Sequence, residues 1–486
     1  MEINLGLEDL LRISPLLILF LTSLIPVGIK VLRGNHEPNP LVPLSVGIAG
    51  ILTSAMLLWI FAGQGQTVFS KALIFDGLTF WSGSASLVIT MGALFIAYES
   101  PSTNKNLFSE FVFLLLSSSL GMLVLVSALD LLVTFIGLEI MSLSLYLLIA
   151  MGNEEKLCKE AAFKYFLLGS LASAIMLYGV AFIYGTTGTT YIYDIVSSVP
   201  NLVESSRLFL MGSALIIIGF CFKVSIFPFH AWTPDVYQGA PTSLSAYMAT
   251  SVKFVSMAAF LRFVSIKSLG YSENLLNVVQ WLAVLTMIIG NVAAIRQESV
   301  KRMLAYSSVA HSGYILVGVL SSAISSQGSF AASGVIFYLI SYAIMTFGAF
   351  AIVNVFEINE NTQLTIDDMA GFAKRRPMLA FCLTLFLLSM AGIPPTIGFF
   401  GKFYLFSAAL SEGRLWVVLW GVINSVIGAY YYLRPIVLMY MHESNKADDA
   451  ERYLPATETL IVVSMIFVLG LGFFSDFLFK AVERSL

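Results

Sequence analysis

The sequence predicts an all-α membrane protein of about fourteen transmembrane helices, two of them interrupted. Three observations predict it. First, 58% of the 486 residues are hydrophobic and only 11% are charged, with a mean hydropathy of +0.87. A soluble domain carries about 25% charge, so these charges cannot cover a water-facing surface and lipid must be the main solvent. Second, mainly apolar stretches of about 20 residues, the length that crosses a bilayer, recur along the whole chain. Third, lysine and arginine gather in alternate loops, as they do on the cytoplasmic side of membrane proteins.

In order, the stretches cover residues 10–32, 41–63, 77–98, 108–128, 129–151, 159–185, 207–227, 240–265, 273–296, 302–321, 330–356, 377–411, 413–440 and 455–482. The opening segment, from Met1-Glu2-Ile3 to Glu8-Asp9, lacks the basic region of a signal peptide, so the first stretch reads as a retained span. Stretch 377–411 is too long for one straight crossing. Loops after odd-numbered spans, which include Lys30, Lys374, Lys446 and Arg452, hold about twice the Lys and Arg of the opposite side, which includes Arg262, Lys267 and Lys480. Both termini are therefore expected outside, with the odd loops cytoplasmic.

Composition also excludes whole classes. The net charge of -3 and the absence of a basic stripe argue against nucleic acid. Cys158, Cys221 and Cys382 stand alone, without CxxC or Cys/His spacing, which excludes an iron–sulfur or structural zinc site built by this chain alone. No GxGxxG follows a strand and no Walker loop is present, so nucleotide and flavin have no seat. Any associated redox chemistry belongs to another subunit.

Three basic residues, Lys223, Lys253 and Lys402, lie inside apolar spans. A lysine at a helix centre costs about 2.5–3.5 kcal/mol on insertion scales, and three such costs point to a use. Desolvation disfavours an ammonium, which equips a buried lysine to take and release a proton. The bland alternative is a lysine that merely reaches a polar cavity. Glu139 is the one acid deep in a span. Near a lysine it would stay charged and modulate its partner's proton affinity, although a static ion pair that only locks helices is the competing reading.

Two helices are interrupted. Lys223 is followed by Phe227-Pro228-Phe229-His230-Ala231-Trp232-Thr233-Pro234-Asp235, and Lys402 is preceded by Gly392-Ile393-Pro394-Pro395-Thr396. Proline removes a donor and frees backbone carbonyls, which survives in a membrane only where protein or water satisfies them. A lysine beside a break, twice, is the pattern of transporters with paired discontinuous helices, against an ordinary kink at each. A weak repeat supports it: Glu139 precedes Lys223 by 84 residues and His311 precedes Lys402 by 91. His311 is suited to relay protons near neutral pH and equally to a hydrogen-bonded core role. His230 reads as a cap for freed carbonyls and Asp235 as a cap for the helix after it. Lys164 continues the Glu139–Lys223 line inward or ends in solvent. The run Gly169-Ser170-Leu171-Ala172-Ser173 reads as a helix packing face.

The segments Phe227 through Asp235 and on through Val236-Tyr237-Gln238-Gly239-Ala240-Pro241-Thr242, together with Gly392-Ile393-Pro394-Pro395 and Gly398-Phe399-Phe400-Gly401-Lys402-Phe403-Tyr404, resemble the antiporter-like membrane subunits of respiratory complex I. The wording Tyr237-Gln238-Gly239-Ala240-Pro241 is closest to the N-type branch, subunit 2 in organelles. The likeness runs over nearly the whole chain. It implies two inverted five-helix repeats with discontinuous helices 7 and 12: flanking helices 1–3 in residues 1–107, helices 4–8 in 108–266, helices 9–13 in 267–441, and helix 14 in 442–486. It implies that Glu139, Lys223, Lys253 and Lys402 are the acid, two central lysines and outlet lysine of a proton path, with His311 and Lys164 as further relay candidates. A lysine at 402 separates the chain from the M-type branch, and the lack of a long lateral C-terminal helix separates it from the L-type.

The resemblance further implies a non-redox subunit of a proton-translocating NADH:quinone oxidoreductase in a bacterial cell inner membrane. Flavin, iron–sulfur clusters and quinone would reside in partner subunits, with no cofactor and no metal in this chain, and M-type and K-type membrane subunits would be its neighbours. The competing reading is a subunit of a multisubunit cation/proton antiporter. Those share the fold and buried lysines but carry His-Thr-Glu-Ala-Pro-like wording where this chain has Tyr237 to Pro241. A purely structural membrane scaffold leaves four costly ionisable residues unexplained.

Overall fold

The computed structural model describes the chain except residues 1–6, 62–64, 66, 70, 154, 265–271, 325–327, 358–363 and 444–452. Met1 to Ile3, Lys267, Lys446, Arg452 and the expected 266/267 boundary lie outside the described residues. Among the described residues, twelve helices are long and apolar enough to cross a membrane. Two further crossings are assembled from shorter halves, which makes fourteen.

In chain order the helices are α1 (Ser14–Leu32), α2 (Leu41–Phe61), α3 (Gly77–Glu99), α4 (Phe108–Ser127), α5 (Leu131–Ala150), α6 (Glu155–Thr187), α7 (Ile192–Ser205), α8 (Arg207–Lys223), α9 (Trp232–Gly239), α10 (Thr242–Val264), α11 (Glu273–Ile295), α12 (Val300–Ile324), α13 (Gly328–Phe356), α14 (Pro377–Ala391), α15 (Ile397–Ser411), α16 (Leu415–Met441), α17 (Pro455–Phe473) and α18 (Ser475–Glu483). The broken seventh crossing is α8 and α9; the broken twelfth is α14 and α15. Side-chain oxygens of Asp76, Asp130, Ser206 and Ser272 accept from free amides in the first turns of α3, α5, α8 and α11, which fixes where those helices begin.

The core is sorted by depth. Helix α10 is 100% buried across its apolar window, α12 94% and α13 89%, whereas α1 and α17 are only 28% buried. The rim therefore presents Leu21, Met56, Trp59 and Val426 outward, while α10 runs through the centre packed by α3, α4, α8, α12 and α13. The first two helices of each expected repeat meet backbone to backbone at glycines. A Cβ on Gly121 of α4 would lie 2.5 Å from the Met141 amide of α5, and one on Gly290 of α11 would lie 2.5 Å from the Ala310 amide of α12. Only small residues allow such approaches. The stretch from Gly169 to Ser173 also lies at a packing face, where Gly169 meets the Tyr146 hydroxyl.

Several expectations need correction. The first span breaks at Ile13 into a short turn, Leu7–Arg12, and α1. The last span ends at Phe473, and α18 is a separate amphipathic helix with Phe477 76% exposed. The amphipathic α7 and a two-stranded hairpin, Thr67–Val68 with Leu73–Ile74, went unanticipated, because neither carries a 20-residue apolar signal. Lys30 and Arg262, placed in loops, are buried in helices. Lys30 pairs with Glu37 and Glu110, each at 2.7 Å, and Arg262 with Asp76 at 2.8 Å. Paired charges at helix ends escape a rule that counts cations alone.

Candidate functional site

The break after Lys223 leaves carbonyls that must find donors, and those of Phe220, Cys221, Phe222 and Val224 do. Val224 N donates to Phe220 O, Ile226 N to Cys221 O, Trp232 Nε1 to Phe222 O at 3.0 Å, and Ser312 Oγ of α12 to Val224 O at 2.5 Å. Ser225 takes φ +62°, a left-handed conformation that a serine adopts at some cost, and its hydroxyl pairs with Thr233 at 2.6 Å. Lys223 closes α8 with its ammonium buried. Its Nζ donates to Ser142 Oγ at 2.6 Å and sits 5.6 Å from the Tyr165 ring and 5.9 Å from the Tyr146 ring.

Ser142 is three residues beyond Glu139, on the same helix and the same side. Glu139 is half-buried, Lys223 feels its charge, and its Oε1 has no hydrogen-bond partner. The structure thus brings Lys223 onto the Glu139 helix through Ser142, not into a contact ion pair with Glu139 itself.

Lys253 follows a π-helical turn, Met248–Val252, in the central helix. Such turns widen a helix and are frequent at functional positions. Its Nζ donates to Ser308 O at 2.6 Å and to Ser308 Oγ, and it lies 5.6 Å from the Tyr342 ring. The Tyr342 hydroxyl also donates to Ser308 Oγ, at 2.8 Å. Ser312 donates to Ser308 O at 3.1 Å as well as to Val224 O. The environments of Lys223 and Lys253 therefore meet at Ser312.

His311 lies between two tyrosine hydroxyls, with Nδ1 2.6 Å from Tyr338 and Nε2 3.0 Å from Tyr432. Tyr432 pairs in turn with Ser307. In a neutral imidazole one nitrogen donates and the other accepts, so the two contacts have opposite polarity and reverse together if the tautomer changes.

Three residues beyond His311, Tyr314 places its ring 4.8 Å from Lys402 Nζ. At the second break Gly392 takes φ +89°, and its amide and that of Ile393 cap Leu388 and Ser389. The next two carbonyls, of Met390 and Ala391, accept from Lys402 Nζ at 2.9 and 3.0 Å, and Ser425 Oγ accepts at 2.8 Å. The ammonium thus sits at the carbonyl end of α14, where a helix dipole favours positive charge.

Among the described residues, no carboxylate forms a contact ion pair with Lys223, Lys253 or Lys402. Their partners are hydroxyls, carbonyls and rings. Lys164 is 41% exposed and pairs with Glu160 at 2.7 Å and Asp235 at 2.8 Å, apart from the Lys223 cluster. Asp235 lies within the first turn of α9 and is not its cap. It bridges Lys164 to Arg302 of α12 at 2.7 Å, because two cations outcompete the helix amides for its oxygens. A cleft of about 190 Å³ lined by Glu160, Lys164, Asp235, Gln238 and Arg302 opens beside it. His230 packs on Phe227 at 5.6 Å, and its buried Nδ1 has no hydrogen-bond partner.

Sequence reasoning missed Ser142, Ser308, Ser312, Tyr338, Tyr342 and Tyr432. The signal was partly visible. Ser307, Ser308, His311, Ser312 and Tyr314 fall on one helix within eight residues, and Tyr338 and Tyr342 are one turn apart.

The family described as NADH:quinone oxidoreductase/Mrp antiporter, transmembrane, matches residues 128–428. NADH-quinone oxidoreductase subunit N of Bdellovibrio bacteriovorus is 59% identical over 486 residues, 100% of both chains. A chain of respiratory complex I from Thermus thermophilus has a TM-score of 0.80 at 28% identity, covering 97% of this chain and 100% of that one. A chain of the Mrp complex from Dietzia sp. has a TM-score of 0.84 at 20% identity, covering 98% of this chain and 97% of that one, a likeness of fold alone. With relatives matching end to end in sequence and in fold, the chain belongs to the family of NADH-quinone oxidoreductase subunit N.

Proposed function

We propose that this chain is a proton-translocating membrane subunit of an NADH-quinone oxidoreductase, and that Glu139, Lys223, Lys253, His311 and Lys402 carry the protons. One observation carries the reading: three buried lysine amines, one in each broken crossing and Lys253 in the central helix, each donate to a neutral hydroxyl, Ser142 of α5, Ser425 of α16 and Ser308 of α12. Hydroxyls both donate and accept, so a proton leaving one amine finds an acceptor that holds no competing charge. Between Lys223 and Lys253 the shared element is Ser312. Between Lys253 and Lys402 it is the face of α12 that carries Ser308, His311 and Tyr314, with water completing the gaps. Lys164, beside the Asp235 cleft, is the inward end of the line.

The remaining features follow from this reading. Redox cofactors and quinone belong to partner subunits, M-type and K-type subunits flank the chain in a bacterial inner membrane, and both termini face outward. The two repeats divide near residues 107, 266 and 441. Fold alone also suits a cation/proton antiporter subunit, given the likeness to the Dietzia chain; the full-length identity to subunit N favours the oxidoreductase. The test is the purified native complex, which should contain flavin and iron–sulfur subunits and form a membrane potential on quinone reduction. A Lys253→Ala variant that assembles should lose most of that potential. Co-purification with antiporter subunits alone, or full potential in an assembled Lys253→Ala complex, refutes the reading.

A further inference from the structure

Three helix ends meet at a buried carboxylate beside the end of α9, where Lys301 also donates to Ala240 O at 3.4 Å. Glu357, just past α13, is only 6% exposed. Its Oε1 forms an ion pair with Lys301 Nζ of α12 at 2.6 Å and accepts from the Thr242 hydroxyl at the start of α10. Its Oε2 is buried with no partner. A carboxylate held only to lock three helices would use both oxygens.

The same three helices meet again deeper, where Lys253 of α10, Ser308 of α12 and Tyr342 of α13 form one cluster. Along α13 the two layers are fifteen residues apart, about 22 Å of helix. Between them α13 carries two more buried polar side chains with unused capacity. Asn354 is 0% exposed, and neither its Oδ1 nor its Nδ2 has a partner. Thr346 is 2% exposed, and its hydroxyl has no hydrogen-bond partner. At about 100° per residue, Tyr342, Thr346 and Glu357 fall within a 60° arc of the helix, and Asn354 extends it to about 120°. Phe350, 0% exposed and edge-on to Tyr237 at 6.3 Å, is the aromatic residue on that arc between the two polar groups, with Val353, also 0% exposed, beside it.

Buried polar groups without protein partners are satisfied by water. We infer that Glu357, Asn354 and Thr346 line a hydrated file that delivers protons to Lys253, with Glu357 as its mouth and Phe350 as its constriction. The inference rests on the proton-translocating reading above. Lys301, whose side chain is 14% exposed, connects the mouth to the surface. In one cycle Glu357 Oε2 takes a proton from surface water and passes it along the file's waters, returning to carboxylate, while a neutral Lys253 amine gains the proton and becomes ammonium. Asn354 and Thr346 hold those waters in line. Phe350 interrupts them by drying the gap, as hydrophobic constrictions do in channels.

The test uses the assembled complex in sealed vesicles, with quinone reduction and membrane potential read together and assembly checked on native gels. Glu357→Gln and Asn354→Leu are each expected to lose most of the potential formed per quinone reduced, and Glu357→Asp to retain it. Infrared difference spectra across a pH step should show a carboxyl band that Glu357→Gln abolishes. If Glu357→Gln fails to assemble, Asn354→Leu and Thr346→Val decide, since neither touches the ion pair. Normal coupling in Asn354→Leu, with coupling lost in Lys253→Ala, overturns this file and leaves the function standing. Normal coupling in Lys253→Ala as well overturns both.

Discussion

Lys402 holds a helix end and, on the proposed reading, relays protons, and substitution can divide the two. Its ammonium caps Met390 O and Ala391 O at the end of α14 and also donates to Ser425. Lys402→Met keeps most of the stem volume and removes the donors. Ala391 O would still accept from Ser425 Oγ at 3.1 Å, so Met390 O alone loses its partner. One buried unsatisfied acceptor costs about 1–3 kcal/mol, small beside a fourteen-crossing structure, so the complex should assemble with modestly reduced thermal stability. Lys402→Arg keeps donors and charge but cannot release a proton near neutral pH. If the lysine is a relay, both variants lose membrane-potential formation and the arginine variant is the more stable. Assembly on native gels, thermal dissociation, quinone reduction and potential formation in vesicles separate these outcomes. Normal coupling in an assembled Lys402→Arg complex would refute the relay and leave Lys402 as a helix cap.

Other predictions address positioning and pairing. Glu139→Gln, Lys223→Ala and the double variant should depress coupled turnover with little extra loss in the double, because Ser142 ties Lys223 of α8 to the helix that carries Glu139; losses that multiply would mean independent sites. Gly137→Leu should block assembly, since a Cβ there lies 2.7 Å from the Leu125 amide and cannot be relieved by a rotamer change; an assembled, active variant on native gels would contradict this. Asp76 gives a pH signature. Burial alone would raise its pKa, but the paired Arg262 and the α3 amide outweigh that and hold it below the usual carboxylate value. Its contribution is therefore complete above about pH 4, the unfolded value, and is lost as pH falls through the lower folded value. Asp76→Asn should remove that acid-labile part, read as hydrogen exchange at the start of α3 during acid titration; an unchanged profile would count against the pairing.

Hydropathy made the fourteen crossings legible, and proline with glycine marked both breaks, because these signals are local. Lys223, Lys253 and Lys402 were legible for the same reason, as charges inside apolar runs. Their partners were not. Ser142 is 81 residues from Lys223 and Ser308 is 55 from Lys253, and a serine in an apolar helix carries no mark of which way it faces. Asp235 was misread as a cap because a sequence shows an acid beside a helix start but not the two cations, on α6 and α12, that draw it away. Glu357 was passed over because it ends a span, where an acid is ordinarily solvated.

The two halves use matching parts to reach different chemistry. In each, glycines press the first two helices together beside a titratable residue: Gly137 two before Glu139, and Gly313 two after His311. In each, the residue three positions on from that group touches the lysine of the broken crossing, Ser142 for Lys223 and Tyr314 for Lys402. The breaks lie in the seventh and twelfth crossings, an offset of five, and an odd offset reverses direction, so equivalent parts run in opposite directions. The chemistry at each end differs accordingly. Lys223 ends the first half of its crossing within the field of a carboxylate, whereas Lys402 belongs to the second half of its crossing and is held by the carbonyls of the first. Lys402 is held instead by the carbonyls that the break frees, so its position depends on how α14 meets α15.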